Sequence, residues 1–167
     1  MADDPRAEYV ERIEAVRARW RGLVAEVGED RMELPGPMGE WSFKDLASHL
    51  TAWRRRTIAR LHAAARGEAP PPPPWEADLG SSDIEDDPIN DWIHERTKDR
   101  PLAEVLAEAD ATYDDFIAAV RALQPEDLTD PRRFDWLEGA AFVEYGPGGH
   151  LDEHEPGIRR WLADDPR

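Results

Sequence analysis

The sequence contains no cysteine, and it has no long apolar run. Without cysteine there can be no disulfide, no thiolate metal ligand and no cysteine nucleophile, so histidine must supply any soft metal ligand. No segment approaches the roughly 18 apolar residues that a membrane-spanning helix needs, and the N-terminal MADDPRAEYV lacks the apolar core of a secretory signal. We therefore expect a soluble, cytoplasmic protein with no membrane partner.

Positive charge is also scarce, with 21 Lys and Arg against 37 Asp and Glu and a formal net charge of -16. Nucleic-acid binding depends on clustered basic side chains that displace counterions, so this balance argues against a nucleic-acid partner.

What the sequence does contain is 167 residues, 40% of them hydrophobic, and seven tryptophans. This is enough for one folded domain and too little for two ordinary ones, so we expect a single domain over 1–167.

Apolar residues spaced by three and four predict the main helices. The first helix is expected over 5–28. The second begins at a capping box made by Ser42 and Asp45 and carries His49 and Trp53 on its apolar side. Its Arg54-Arg55-Arg56 run could meet an anionic substrate, although such runs more often form surface ion pairs.

The second half of the chain predicts a long connection and two further main helices. Residues 67–87 hold five consecutive prolines followed by a Gly-Ser-Asp-rich stretch, typical of a polyproline II spacer and a loop. A short helix is expected over 88–97, another from Leu102 until Gln124-Pro125 stops it, and a last one from 148–151 to Ala163. Residues 125–148 show no period and should pack over one bundle end. These elements predict an all-α fold, a four-helix bundle with a long crossover connection.

His150 and His154 are four residues apart, so on a helix both imidazoles project from one face. A third histidine from another helix would complete the open-sided geometry of a catalytic zinc or nickel site, and His49 is the obvious candidate. His62 and His94 lie in polar surroundings, and we expect them to be solvated. The spacing thus predicts a metal site made by His49, His150 and His154, although such a pair also arises in helices that bind no metal.

Two segments resemble a known family. Glu40-Trp41-Ser42-Phe43-Lys44-Asp45-Leu46-Ala47-Ser48-His49-Leu50-Thr51-Ala52-Trp53 is similar to the start of the second helix in DinB-like proteins. The run from Gly149 to His154, followed by Ile158-Arg159-Arg160-Trp161-Leu162, is similar to their last helix. The segments Ile89-Asn90-Asp91-Trp92 and Trp136-Leu137-Glu138-Gly139 resemble the ClbS/DfsB branch in particular, from which Leu151 departs because it replaces a tyrosine.

The resemblance implies a four-helix bundle, often a homodimer, with a three-histidine metal site at His49, His150 and His154. It also implies an activity on a small-molecule substrate. Some relatives are hydrolases of reactive metabolites, and others are transferases or isomerases that use a low-molecular-weight thiol. The resemblance leaves three alternatives: a metal-dependent enzyme acting on a small electrophile, a metal-free ClbS/DfsB-like hydrolytic or sequestering resistance protein, and a non-enzymatic interaction bundle.

Further residues near the histidines are candidates for the site. Glu153 could accept a proton or orient a ligand imidazole, although an acid in such a run is more often simply solvated. The candidates for lining a substrate cavity are Trp41, Trp53, Asn90 and Trp92. Aromatic residues at helical spacing are usually core residues, and Asn90 is more typical of a helix cap.

Overall fold

The computed structural model describes residues 4–79 and 87–164. In order along the chain, the elements are α1 Pro5–Val27, β1 Pro35–Gly36, β2 Gly39–Ser42, α2 Phe43–Ala65, α3 Asp87–Thr97, α4 Leu102–Ala122, α5 Pro125–Thr129 and α6 Gly149–Asp164. The long helices α1, α2, α4 and α6 make the bundle, so the all-α prediction is confirmed. The predicted bounds of α1, α4 and α6 agree with the structure to within one or two residues.

The core of the bundle consists of the apolar stripes that the sequence shows. Ile13 and Leu23 of α1, Leu46 and Leu61 of α2 and Tyr113 of α4 are buried completely. The rings of Trp20 and Phe43 stack with centroids 5.1 Å apart and an interplanar angle of 7°. Burial of these side chains, at about 25 cal/mol per Å² of apolar area, is what holds α1, α2 and α4 together.

Two short elements were missed by the sequence analysis. The Pro-Gly-rich break after α1 contains an antiparallel hairpin in which Pro35 pairs with Ser42 and Gly36 with Gly39. Gln124-Pro125 was interpreted only as a helix stop, but Pro125 also begins α5, because proline fits the first position of a helix. Neither element is long enough to show a hydrophobic period.

The connection between α2 and α3 is proline-rich as predicted, and its described part packs onto the protein. Trp75 is buried against Trp53, with ring centroids 5.2 Å apart, and a short 3-10 turn follows at Ala77–Leu79. The rest of the predicted loop, residues 80–86, lies outside the described residues. Asn90 lies inside α3 and not at its start, so the expectation that it caps this helix is wrong.

Residues 125–148 cover the end of the bundle where α1 begins and where α2 and α4 end. The Tyr9 hydroxyl donates to the carbonyl of Tyr145 at 2.7 Å, and Arg133 donates to the carbonyl of Ala64 at 2.7 Å. Phe142 is fully buried in the main core. Among the described residues, no helix combines the length and the apolar character that a membrane crossing requires.

Candidate metal centre

The start of α2 fixes the first histidine. Ser42 caps the helix: its hydroxyl accepts from the amide of Asp45 at 3.1 Å, and the Asp45 carboxylate accepts from the amide of Ser42 at 2.9 Å. This reciprocal pair satisfies amide groups that a helix end leaves open and so sets the register of the first turn. His49 lies on the second turn and is fully buried.

The start of α6 fixes the other two histidines. Arg19 of α1 forms ion pairs with Asp152 and, at 3.1 Å, with Glu155, so the polar side of α6 is attached to α1. Gly148 comes so close to α1 that an added Cβ would lie 2.9 Å from Cγ2 of Val16. The first turn of α6 therefore sits directly against the bundle, and its inner side faces α2.

The structure brings the three predicted histidines together. One ring nitrogen from each of His49, His150 and His154 lies within 4.8 Å of the others. The Nε2 atoms of His49 and His150 are 2.9 Å apart, which is hydrogen-bonding distance. The rings of His150 and His154 are 5.2 Å apart between centroids, as expected for residues one turn apart.

This arrangement fits a divalent metal ion. Imidazole nitrogen is a preferred ligand of zinc and nickel. In a tetrahedral zinc site with bonds of about 2.0–2.1 Å, two bound nitrogens lie roughly 3.4 Å apart. The His49–His150 pair at 2.9 Å is slightly closer than this, and the three nitrogens within 4.8 Å of one another could reach it by side-chain rotation. His49, His150 and His154 can therefore hold one ion and leave further positions on it open.

A second group of residues lies against the outer side of His49. The ring of Trp41, on β2, is 6.2 Å from that of His49 and stacks on that of His94 at 4.8 Å with an interplanar angle of 8°. Nε2 of His94 lies 3.5 Å from the Asp45 carboxylate. The expectation that His94 is simply solvated is wrong, because β2 and α2 half-bury it. The sequence did not indicate that His94 lies near His49, because this position depends on the β1–β2 hairpin, which was not predicted.

The remaining predicted pocket residues lie on the side of the site towards α3. Trp53 is 5.9 Å from His150 between ring centroids, and its indole N–H donates to the side-chain oxygen of Asn90 at 3.3 Å. Asn90 is buried, and through this bond it fixes the orientation of Trp53. Trp92 is half-buried, packs with Trp53 and Trp75, and lies under the guanidinium of Arg96. Of the four residues predicted to line a cavity, Trp53 borders the cavities beside His150, and Trp41, Asn90 and Trp92 are not among the lining residues of those cavities. Trp41 contacts His49, whereas Asn90 and Trp92 contact or pack with Trp53.

A cavity of about 450 Å³ adjoins His150. Trp136 and Tyr145 from the segment before α6 form its apolar part, and Glu153 of α6 lies on its rim, exposed to solvent. Its volume is in the range of small-molecule sites. The histidine cluster therefore opens onto a space that can hold an organic ligand, with a carboxylate at its edge.

Of the Arg54-Arg55-Arg56 run, Arg55 follows the expectation of a surface ion pair, and Arg54 and Arg56 do not. Arg55 forms a surface ion pair with Glu108. Arg56 and Arg60 are both buried and both line the cavity. Arg54 lies over the Tyr113 ring at 3.7 Å, and its removal from water lowers its pKa. The expectation that these arginines are exposed rests on their charge. The charge of a residue does not show which other segments pack over its side of the helix.

The comparison with protein families identifies the chain's relatives. The profile of the DinB superfamily matches residues 12–146, so the chain belongs to the DinB superfamily. A search of curated proteins and a search of solved structures give no significant match. The matched region includes His49 but ends before His150 and His154. The family match therefore says nothing about whether the three histidines lie together. That they do is shown by the structure.

Proposed function

We propose that this protein binds one divalent metal ion, zinc or nickel, and acts on a small electrophilic metabolite as a hydrolase or as a thiol-dependent transferase. The observation that carries the proposal is the set of three imidazole nitrogens within 4.8 Å of one another, beside a cavity of about 450 Å³. A site with three histidines keeps positions open for water or for a substrate, as catalytic sites require. Such an activity would suit a role in detoxification or self-resistance.

The chemistry divides between the ion and the protein. His49, His150 and His154 would hold the ion, and the α2 cap and the ion pairs of Arg19 support their positions. A divalent ion held there would lower the pKa of a water or low-molecular-weight thiol beside it. Trp53 and Trp136 line the cavity, and the proposed proton acceptor is Glu153, which also lines it.

A metal-free enzyme of the ClbS/DfsB kind is the second candidate, and one contact favours it. With Nε2 of His49 and His150 2.9 Å apart, one imidazole donates a hydrogen bond to the other. The pair could then act as acid and base on a substrate in the same cavity without an ion.

The third alternative, an interaction bundle, would be expected to show an exposed apolar patch. Among the described residues, Leu34 is the one exposed large hydrophobic side chain.

Elemental analysis of protein purified without chelator tests the metal. We expect close to one zinc or nickel per chain, and loss of that metal in His49→Ala and His154→Ala. His62→Ala is the matched control, because His62 is on α2 and half-buried but is not part of the cluster. A wild-type protein without stoichiometric metal, or His49→Ala and His154→Ala variants that keep it, would contradict the proposed site.

A model electrophile separates the possible reactions. Styrene oxide is incubated with the protein, with and without L-cysteine, and the products are followed by mass spectrometry. Diol formation above the rate of His49→Ala indicates a hydrolase, and thioether formation that depends on L-cysteine indicates a transferase. Activity that survives complete removal of metal would favour the metal-free candidate instead.

A further inference from the structure

We propose that a small cavity beside His150 binds a carbonyl oxygen of the electrophilic substrate, which accepts hydrogen bonds from the Tyr113 hydroxyl and the Arg54 guanidinium. This inference deepens the proposed function and rests on it, since it names the class of electrophile that the site takes. The small cavity has a volume of about 40 Å³, and its wall includes Tyr113, Arg54 and His150. A water molecule takes roughly 30 Å³ in the liquid, so there is room for one terminal group of a substrate.

The small cavity adjoins the cavity of about 450 Å³. Both cavities are lined by Trp53, Thr57, Tyr145 and His150. A ligand whose body lies in the larger cavity can therefore place a terminal group in the small one. His150 belongs to both walls, so it then lies beside the atoms that join the two parts of the ligand.

The Tyr113 hydroxyl is the first observation. Tyr113 comes from α4 and is completely buried, and its hydroxyl donates to no acceptor among the described residues. Folded proteins seldom leave a buried donor unused, because its removal from water is then uncompensated. Burial also raises the pKa of the Tyr113 phenol, so the hydroxyl keeps its proton and remains a donor at neutral pH.

The Arg54 guanidinium is the second observation, and it lies over the Tyr113 ring at 3.7 Å. Its Nη1 atom donates to the carbonyl of Ala109 at 3.0 Å and to the hydroxyl of Thr112 at 2.6 Å. The described residues offer its Nε and Nη2 atoms no carbonyl or carboxylate, and none of them forms an ion pair with it. This cation therefore has donors left for a ligand on the side of the small cavity.

These two groups define the ligand atom that fits between them. A guanidinium has only donors, so Arg54 cannot accept the proton of the Tyr113 hydroxyl. No carboxylate is present among the described residues that line the small cavity. The atom that satisfies both donors is an oxygen with two lone pairs, and a terminal carbonyl oxygen offers both lone pairs in one plane.

Hydrogen bonds to this oxygen would also assist the reaction. Donors aimed at a carbonyl oxygen, one of them charged, draw electron density towards it and stabilise the negative charge that develops there. The carbon atoms attached to the carbonyl group become more electrophilic as a result. Tyr113 and Arg54 thus bind and polarise the substrate, and neither of them transfers a proton.

Two probes of nearly equal shape test the inference. Acetophenone has a carbonyl oxygen where α-methylstyrene has a methylene group. Each is titrated into metal-free full-length protein, so that no carbonyl can bind to an ion, and binding is followed by NMR with carbon-13 in the carbonyl of acetophenone. We expect acetophenone to bind at least tenfold more tightly, because the hydrocarbon leaves the buried donors unpaired. Its carbonyl carbon should move downfield of its position in water, as polarisation by the two donors requires.

Substitutions locate the carbonyl group. Tyr113→Phe removes only the hydroxyl, so it should weaken acetophenone binding at least tenfold, reduce the downfield shift and leave α-methylstyrene binding unchanged. Arg54→Gln removes the charge and should reduce the same shift. Thr51→Val is the matched control and should change neither probe. Thr51 also has a buried hydroxyl with no hydrogen bond among the described residues, but it lines neither cavity.

Two results would overturn the inference. Equal binding of the two probes by the wild type would mean that water satisfies both donors, and this result counts even if neither cavity variant folds. A folded Tyr113→Phe protein that binds acetophenone with the wild-type affinity and the wild-type carbon-13 shift would place the carbonyl elsewhere.

The outcome can be separated from that of the metal proposal. His49 lines neither cavity, so metal-free His49→Ala should still bind acetophenone with wild-type affinity. If metal content fails while this binding persists and depends on Tyr113, the metal proposal is wrong and the carbonyl site stands. If acetophenone binds only metal-loaded protein, whether or not Tyr113 is replaced, it binds at the histidines, and the carbonyl site is wrong.

Discussion

Replacement of His49 by alanine should have two effects of different origin, which thermal unfolding can separate. His49 is fully buried, with its ring 4.6 Å from that of His150 and 5.2 Å from that of His154 between centroids. Removing such a side chain leaves a cavity and costs about 2–4 kcal/mol. For a chain of this length, about 2–4 °C in Tm corresponds to each kcal/mol. In the presence of a chelator, His49→Ala should therefore unfold about 5–15 °C below the wild type.

The second effect is the loss of stabilisation by metal. An ion that binds only the folded state at a concentration one hundred times its Kd adds about 2.7 kcal/mol. Wild-type Tm should accordingly rise by about 5–11 °C when zinc or nickel is added after the chelator is removed. His49→Ala should show no such rise. His154→Ala should also lose it, but with a smaller cost in chelator, because His154 is only half-buried.

Differential scanning calorimetry, with and without metal, measures both effects on the same samples. His62→Ala serves as the control and should keep the full response to metal. Two results would refute the reasoning: a wild type whose Tm does not respond to either ion, or a His49→Ala variant that responds as strongly as the wild type. The second result would mean that the ion binds elsewhere on this acidic surface.

Two further predictions concern the supports of the site. Gly36 has φ of +155°, and an alanine Cβ at this position would lie 2.0 Å from Nε1 of Trp161. Gly36→Ala should therefore displace α6 and lower the free energy of unfolding by about 1–3 kcal/mol. It should also weaken metal binding, as measured by competition with a chromogenic chelator. The Asp110 carboxylate accepts hydrogen bonds from Arg21 and Arg17, and these bonds hold the pKa of that carboxyl well below its usual range. Urea unfolding at pH 7 should therefore show that Asp110→Asn lowers the free energy of unfolding by about 1–2 kcal/mol. The ionised Asp110 carboxylate stabilises the folded state, and the unfolded chain takes up a proton at this carboxyl once the pH falls below about 4. The difference in stability between the wild type and Asp110→Asn should therefore shrink below that pH, and it should vanish once the folded protein also binds the proton.

Matched variants control both predictions. Gly22→Ala lies within α1, where an added Cβ meets nothing within 4 Å, and should be neutral or slightly stabilising. Asp115→Asn removes a carboxylate of α4 that forms no ion pair in the described part of the chain, and should have little effect at any pH. A Gly36→Ala variant as stable and as tightly metal-binding as the wild type, or an Asp110→Asn deficit that is constant from pH 7 to pH 2, would contradict the respective argument.

The bundle could be predicted because its causes are local. The steps of three and four in α1 and α4 depend only on which side of each helix meets water, and the Ser42 and Asp45 cap depends on neighbours three residues apart. The same local signal placed His49, His150 and His154 on inward faces. The hairpin β1–β2 and the five-residue α5 carry no such period, so their existence depends on packing that the sequence does not display.

The cavity could not be predicted for the same reason. Arg56 and Arg60 have the sequence signature of solvent-exposed charges, but in the structure both are buried, with Trp75 and Trp136 from two irregular segments stacked on them. Glu153 and its acidic neighbours look equivalent in the sequence. In the structure Asp152 and Glu155 pair with Arg19, whereas Glu153 lies at the cavity rim. Tertiary contacts thus give different roles to residues whose local sequence is the same.

The placement of α6 is the feature on which the metal site depends most. His49 belongs to the region that the DinB superfamily profile matches, but His150 and His154 lie beyond it and reach His49 only if α6 packs in the observed register. That register is fixed by contacts outside the site, the ion pairs of Arg19 and the close approach of Gly36 to Trp161. Binding of an ion by all three histidines would in turn hold α6 against α2. The free energy of metal binding and the free energy of α6 docking should therefore be coupled, so that a variant that loosens α6 without touching a histidine still lowers metal affinity.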